Sequence, residues 1–345
     1  MNLDNGSVRT ESPEVNDALD QSYMYSEHSY SAPFELIIVI ICIGFIGMLA
    51  NGAVLWALVS KRPKGNTKIF ILNQTVADFF SCTFLLISYA PRVSKIYLSG
   101  VWGSLLCTLL FIDGLIWVGL IASITSLVIL TLERYFKIVH PVLHRKHFRP
   151  WIFKAAVLVT WGNGILRNLQ LGLSARVTNG LCADGQLLKT FGAQLGYAMF
   201  LFVWDFLIPL TVFFYCYGRI VVVVGSTRSN MADISNTLSH TTARIQTNVI
   251  RTLILVSATF IVCWTPCEIN RMLLYTRVIP FNSSYYVIVA VAFLNAAVNP
   301  LIYAAKYQPV RKRLLNLIGC RDRGQTVAPM ATVDDTLLTR SVAHM

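Results

Sequence analysis

The stretch Leu115-Ile-Trp-Val-Gly-Leu-Ile-Ala-Ser-Ile-Thr-Ser-Leu-Val-Ile-Leu-Thr-Leu132, followed by Glu133-Arg134-Tyr135, decides how this chain is read. Eighteen residues pass without a charge before an acid–arginine pair appears. A run of that length matches the roughly 20 apolar residues that a helix needs to cross a bilayer. A helix is the form in which such a run satisfies its backbone polar groups internally. Six further runs share the pattern. Together the seven begin near Phe34, Ile69, Leu105, Phe153, Leu195, Asn248 and Tyr285, and end near Val59, Tyr89, Ile138, Leu173, Val224, Tyr275 and Ala305. The whole chain is 55% hydrophobic and 13% charged over 345 residues, far from a soluble mixture. The expected fold is therefore an all-α bundle of seven membrane helices, with a tail over residues 1–33, the bundle over 34–305 and a carboxyl-terminal segment over 306–345.

The net charge of +12 is distributed by topology. Lys61, Arg62, Lys64 and Lys68 crowd the first connection; Arg134, Lys137, Arg145, Lys146, Arg149 and Lys154 face Glu133 alone around the second. The first 35 residues carry seven acids and Arg9. Short basic loops stay cytoplasmic, which predicts an extracellular amino terminus and a cytoplasmic carboxyl terminus in the plasma membrane, with membrane lipid rather than nucleic acid as the surrounding partner. With no apolar run before Phe34, the first helix is expected to serve as its own insertion signal. The sequons at Asn5 and Asn282 then lie outside, where glycosylation is chemically allowed, whereas Asn73 sits within a helix. Cys107 and Cys182 are the two thiols on the oxidising side and are expected to form a disulfide. Cys320, after Arg311-Lys312-Arg313-Leu314-Leu315, is either a palmitoylation site or a free thiol. The polar segment Ser226–Thr242 reads as a loop rich in Ser and Thr, and with Thr332, Thr336, Thr339 and Ser341 offers hydroxyls whose phosphorylation would add negative charge.

Ionisable groups within membrane helices are costly, so each is a functional candidate. Asp78 lies mid-helix at the depth of Asn51, Asn295 and Asn299, with Ser123 nearby; the set suits either a sodium ion or a protonated acid in a polar network. Pro209, Pro266 and Pro300 each delete a backbone hydrogen bond and allow a kink. Glu133-Arg134-Tyr135 is read as a latch at the inner boundary, set against simple snorkelling of the arginine. There is no His-Glu-x-x-His and no pair of catalytic acids, so an enzyme is not expected.

Taken in order, Asn51, Asp78, Glu133-Arg134-Tyr135, Trp161, Pro209 with Tyr217, Cys263-Trp264-Thr265-Pro266 and Asn299-Pro300-Leu301-Ile302-Tyr303 resemble the rhodopsin-like G-protein-coupled receptors from about Phe34 to Cys320. The resemblance implies coupling to a heterotrimeric G protein. It also implies ligand sensing by Trp264 and movement of Arg134, Tyr217 and Tyr303 on activation. Asp78, Ser123, Asn295 and Asn299 would form an allosteric sodium site, and a short eighth helix would run around Val310 to Ile318. Departures are informative. The acid that anchors amines in that family is Ile116 here, the retinal lysine is Phe293, and the acid facing the third-helix arginine is Gln246. The interval from Cys107 to Arg134 is about two residues longer than the family's. Asp113, Asp205 and Glu268 are acids in the outer half and, with Ile116, Trp117, Trp264, Arg271 and Phe293, make up the candidate ligand contacts. The acids either bind ligand or pair internally with Arg167 or Arg271. The expected ligand is a peptide, with a basic residue entering deeply; a small amine and, in another class, a transporter substrate are the alternatives.

Overall fold

The computed structural model describes residues 32–60, 66–94, 96–184, 187–231, 237–279 and 284–317. The helices in chain order are α1 Phe34–Val59, α2 Asn66–Tyr89, α3 Gly100–Leu106, α4 Gly114–Val139, α5 Pro141–His147, α6 Pro150–Ser174, α7 Phe191–Leu201, α8 Ile208–Met231, α9 Thr237–Tyr275, α10 Ser284–Lys306 and α11 Gln308–Leu317. Helices α3 and α4 are joined by a wide turn over Cys107–Phe111 into one span, and α7 and α8 by another over Phe202–Leu207. Among the described residues, six stretches are long and apolar enough to cross a membrane. The seventh span, α6, is more polar, carrying Asn163, Arg167, Asn168 and Gln170, yet its 25 residues rise about 37 Å, more than a hydrocarbon core needs. The chain is a multi-pass membrane protein, with seven spans among the described residues.

What faces outward and inward follows from a hydrocarbon solvent. Phe45, Ile46 and Leu49 on α1, Leu158 and Leu166 on α6, Phe214 and Val222 on α8, and Val262 and Ile269 on α9 are all exposed. The interior collects Asn51, Asn73, Asp78, Ser81, Ser123, Ser126, Asn295 and Asn299 beside aliphatic residues. Burying Asn51, Asn73, Ser81, Ser126 and Asn299 is tolerated because they bond across helices. Asn73 is the node for three spans: its amide donates to Ser126 Oγ at 3.2 Å and Thr160 Oγ1 at 3.0 Å, and its Oδ1 accepts from Trp161 Nε1 at 3.1 Å. The sequon at Asn73 is thus a packing residue. Two glycines let the backbones approach: a side chain on Gly119 would meet Ser81 and the Ala77 carbonyl, and one on Gly164 would meet the Val118 carbonyl.

Two spans are locally irregular. In the third, Asp113 takes a left-handed conformation, φ 61°, between the wide turn and α4. The backbone remains bonded through the irregularity, Ile112 N–H to Cys107 O at 3.1 Å, Asp113 N–H to Leu110 O at 3.1 Å and Trp117 N–H to Asp113 O at 3.1 Å. The departure from regular helix is thus confined to residues 107–113. In the fifth span, the wide turn Phe202–Leu207 precedes Pro209, which has no N–H to offer the Asp205 carbonyl one turn back.

Beyond α6 the chain forms a hairpin, β1 Ala175–Thr178 and β2 Leu181–Asp184, with Val177 opposite Cys182. Asn179 and Gly180 both have positive φ, 52° and 78°, as a two-residue hairpin turn compatible with strand twist requires. The expected disulfide joins Cys107 to Cys182, with Cα atoms 5.3 Å apart, and Leu98 N–H bonds Gly180 O at 2.8 Å, so the hairpin is fastened across the bundle mouth.

One expectation is corrected. Ser226–Thr242 is not a loop throughout: α8 continues to Met231 and α9 starts at Thr237. The segment has neither Pro nor Gly, so nothing in it stops a helix from projecting beyond the membrane. The expected eighth helix is α11, whose Val310 is buried and whose Arg313 guanidinium bonds the Ala57 carbonyl at the end of α1. Asn5, Lys61, Arg62, Lys64, Asn282, Cys320 and the tail hydroxyls lie outside the described residues, as does the Gln246 side chain.

Candidate functional site

At the end of the bundle that carries the disulfide, each of the three unusual acids has a guanidinium against it. Asp113 Oδ1 receives Arg92 Nη2 at 2.5 Å and its Oδ2 receives the Tyr89 hydroxyl at 3.0 Å. The same Arg92 Nη2 also donates to Phe111 O at 2.7 Å, and its guanidinium lies 4.1 Å above the Tyr89 ring. Asp205 Oδ2 accepts from Arg167 Nε at 2.7 Å, while Arg167 Nη1 reaches the Tyr197 hydroxyl at 3.0 Å. Glu268 pairs with Arg271 one turn along α9. Internal pairing is therefore the arrangement of Asp113, Asp205 and Glu268. Pairing of Asp205 with Arg167 and of Glu268 with Arg271 follows the sequence reading, but Arg92 as partner of Asp113 was not foreseen. The signal was a cation just beyond Pro91 at the end of the second span, visible as a charge though not as a partner.

Below the charges runs a column of rings. Tyr89 meets Phe293 at 6.2 Å, Phe293 meets Trp117 at 5.7 Å, Trp117 meets Trp264 at 5.9 Å and Trp264 meets Phe260 at 5.8 Å between centroids. Phe260 continues to Phe213 at 5.7 Å and Phe213 to Tyr217 at 6.2 Å. Of the predicted ligand contacts, Trp117, Trp264 and Phe293 are brought together here. Ile116 is fully buried in the hydrophobic core, and its carbonyl accepts from Ser81 Oγ.

At mid-depth, Asn299 Nδ2 donates to Asp78 Oδ2 at 3.0 Å, and Asn51 Nδ2 donates to Gly47 O and Ala296 O. Ser123 belongs to the immediate surroundings of the Asp78 carboxyl. The oxygens Asp78 Oδ1, Ser123 Oγ, Asn51 Oδ1, Asn295 Oδ1 and Asn299 Oδ1 are buried and accept no hydrogen bond from the described protein. A cluster of oxygen acceptors of this kind suits a hard monovalent cation. At the opposite end of the bundle, Glu133 forms an ion pair with Arg134 Nε at 3.0 Å, and His144 Nε2 of α5 lies 3.4 Å from its other oxygen. The Tyr135 hydroxyl bonds His140, the Tyr217 hydroxyl bonds Thr131 at 2.8 Å and Ser257 at 3.2 Å, and the Tyr303 hydroxyl donates to Gln74 at 2.9 Å. Histidine 144 as a second partner of Glu133 was not anticipated; it depends on the helical turn that α5 makes after Pro141.

Against known families, residues 50–303 match the one described as 7 transmembrane receptor (rhodopsin family). The chain belongs to that family. It is a G-protein-coupled receptor and not an enzyme. Among curated relatives, this receptor is 25% identical to the somatostatin receptor type 2 of Sus scrofa, with 91% of this chain and 83% of that protein aligned. It is 24% identical to galanin receptor 2a of Danio rerio over 92% of this chain and 86% of that protein. To formyl peptide receptor 2 of Mus musculus it is 26% identical, over 79% of each.

Proposed function

We propose that this receptor sits in the plasma membrane with its amino terminus outside, binds an extracellular peptide and activates a heterotrimeric G protein at the Glu133-Arg134 end. The observation that carries the peptide reading is the state of Asp113. Its carboxylate is taken up by Arg92 and Tyr89, so no free acid on the third span is left to anchor a small amine. Relatives named for somatostatin, galanin and formyl peptides support the same choice. The hairpin fastened by Cys107–Cys182 gives a main-chain rim against which a peptide can lie.

Transmission follows from the ring column. A ligand that displaces Trp117 or Phe293 bears on Trp264, which stands two residues before Pro266, where α9 lacks one backbone hydrogen bond. Swinging that helix disturbs the Thr131–Tyr217–Ser257 contacts and frees Arg134 for the partner. Asp78 with Ser123, Asn295 and Asn299 would hold sodium, whose positive charge would favour the resting arrangement. Receptor kinases and arrestin would act on the hydroxyl-rich carboxyl tail.

The test is G-protein activation in cells expressing the full chain, challenged with separate libraries of peptides and of biogenic amines. Responses confined to the peptide library are expected. Responses to amines alone, retained by Asp113→Asn, would refute the ligand class. Uptake of a solute with no G-protein response would refute the signalling role.

A further inference from the structure

The three arginines of the outer bundle have more hydrogen-bonding capacity than the acids they face. A guanidinium presents five N–H donors, and a carboxylate accepts through two oxygens. Arg271 directs Nη2 to Glu268, and its buried Nε meets no acceptor among the described residues. Arg167 spends Nε on Asp205 and Nη1 on Tyr197. Asp205 and Glu268 each feel both Arg167 and Arg271, so the four side chains from α6, the fifth span and α9 act as one array of two cations and two anions.

The array is not symmetric toward an incoming group. The side chains of Glu268 and Asp205 are 0% and 1% exposed, whereas those of Arg271 and Arg167 are 18% and 11% exposed. An entering group therefore meets guanidinium first and carboxylate behind it. Among the described side chains on this face, the exposed charges are Arg176, Lys189 and Arg277 against Glu35. Recessed arginines nearer the opening than their acids favour an incoming anion over a cation at this depth.

We propose that Arg271, backed by Arg167, is the anchor for a carboxylate of the ligand, so that the deeply entering group is acidic and not basic. This rests on reading the chain as a peptide receptor and names what that peptide must present. A ligand carboxylate that reaches the accessible part of the Arg271 side chain, 18% of which is exposed, forms the charge-assisted contact for which a guanidinium is shaped. It also sets Arg271 between two acids, the ligand's and Glu268. Glu268 lies one turn from Trp264 on the same helix, so any shift of the Arg271–Glu268 pair is delivered next to the ring that begins the inward column. The carboxylate has two sources, the chain terminus or an acidic side chain.

The experiment uses the full receptor in cells, read out by G-protein activation, with three matched pools of short synthetic peptides. One pool has free carboxyl termini, one has the same sequences amidated, and one has Asp and Glu replaced by Asn and Gln. Removing the responsible carboxylate is expected to lower potency about 10- to 100-fold, the range for a hydrogen bond to a charged group. Loss in the amidated pool assigns the terminus; loss in the Asn/Gln pool assigns the side chain. Arg271→Gln should weaken the acid form by a similar factor and change the neutral form little. Cell-surface amount, measured on an amino-terminal epitope, is matched for each variant. If Arg271→Gln fails to reach the surface, the charge-neutral pair Arg271→Gln with Glu268→Gln takes its place. Equal potency of all three pools, or an Arg271→Gln shift that is the same for acid and neutral forms, overturns the carboxylate anchor while peptide activation upholds the receptor reading. Activation by none of the pools overturns the peptide reading itself, and the anchor with it.

Discussion

Replacing Arg92 by Met removes one member of an ion pair whose side chains are only 6% and 10% exposed. Asp113 is then left with the Tyr89 hydroxyl as its hydrogen-bond donor. Removing one partner of a buried pair costs about 3–5 kcal/mol, because the remaining charge stays out of water without compensation. The partner variant should cost less. Asparagine tolerates the left-handed φ of 61° at position 113, and Arg92 would still donate to Phe111 O and lie on the Tyr89 ring. We expect about 1–3 kcal/mol for Asp113→Asn. Combining Arg92→Met with Asp113→Asn eliminates both charges, so the double variant should be no worse than Arg92→Met alone. The structure supplies the assay: Cys82, Cys216, Cys263 and Cys267 are buried thiols that a reactive dye reaches when the purified receptor unfolds. At roughly 2–4 °C per kcal/mol, Arg92→Met should lower the midpoint by about 10 °C. A shift under about 2 °C, or a double variant whose loss equals the sum of the singles, would refute the reasoning.

Three shorter predictions accompany it. Sodium, compared with potassium at equal ionic strength, should raise the unfolding midpoint of the wild type, and Asp78→Asn should abolish the difference; a sodium effect that survives Asp78→Asn rejects the site. Gly119→Leu drives a side chain into Ser81 and the Ala77 carbonyl and should sharply reduce folded receptor at the cell surface, whereas Gly162→Ala, with nothing within 4 Å of an added Cβ, should not. Because Gln246 cannot form an ion pair with Arg134, Gln246→Glu should lower ligand-free G-protein turnover; unchanged turnover would remove the idea of a loosely held resting state.

How far the chain could be read in advance depended on the kind of interaction. The limits of α1, Phe34–Val59, coincide with its apolar run because bilayer thickness and backbone bonding act locally. The Cys107–Cys182 bridge was legible from topology. The Asn179-Gly180 turn is a local hairpin signal of the same legible kind. Arg92 against Asp113 was not accessible in the same way. That pair is made by a 3₁₀ turn after Tyr89 bringing the cation across to an irregular point in another span, and neither charge fixes the other's direction. His144 on Glu133 likewise requires the geometry of α5. The pairing of the outer acids was open as a choice between two chemistries, and packing decided it.

The left-handed residue at Asp113 also changes how this receptor can be compared with others. A regular helix turns by about 100° per residue, and the wide turn Cys107–Phe111 with the left-handed Asp113 interrupts that rotation. On the inward side, from Trp117 to Arg134, counting from the family motifs assigns side chains to the correct face. Between Asp113 and Cys107 the backbone departs from regular helix, so the same count no longer gives the face a side chain occupies. Asp113 works as a phase boundary in the third span: ligand contacts on its outer side have to be matched by position in space, starting again from the Cys107 anchor, and a relative's recognition code cannot be carried across it residue for residue.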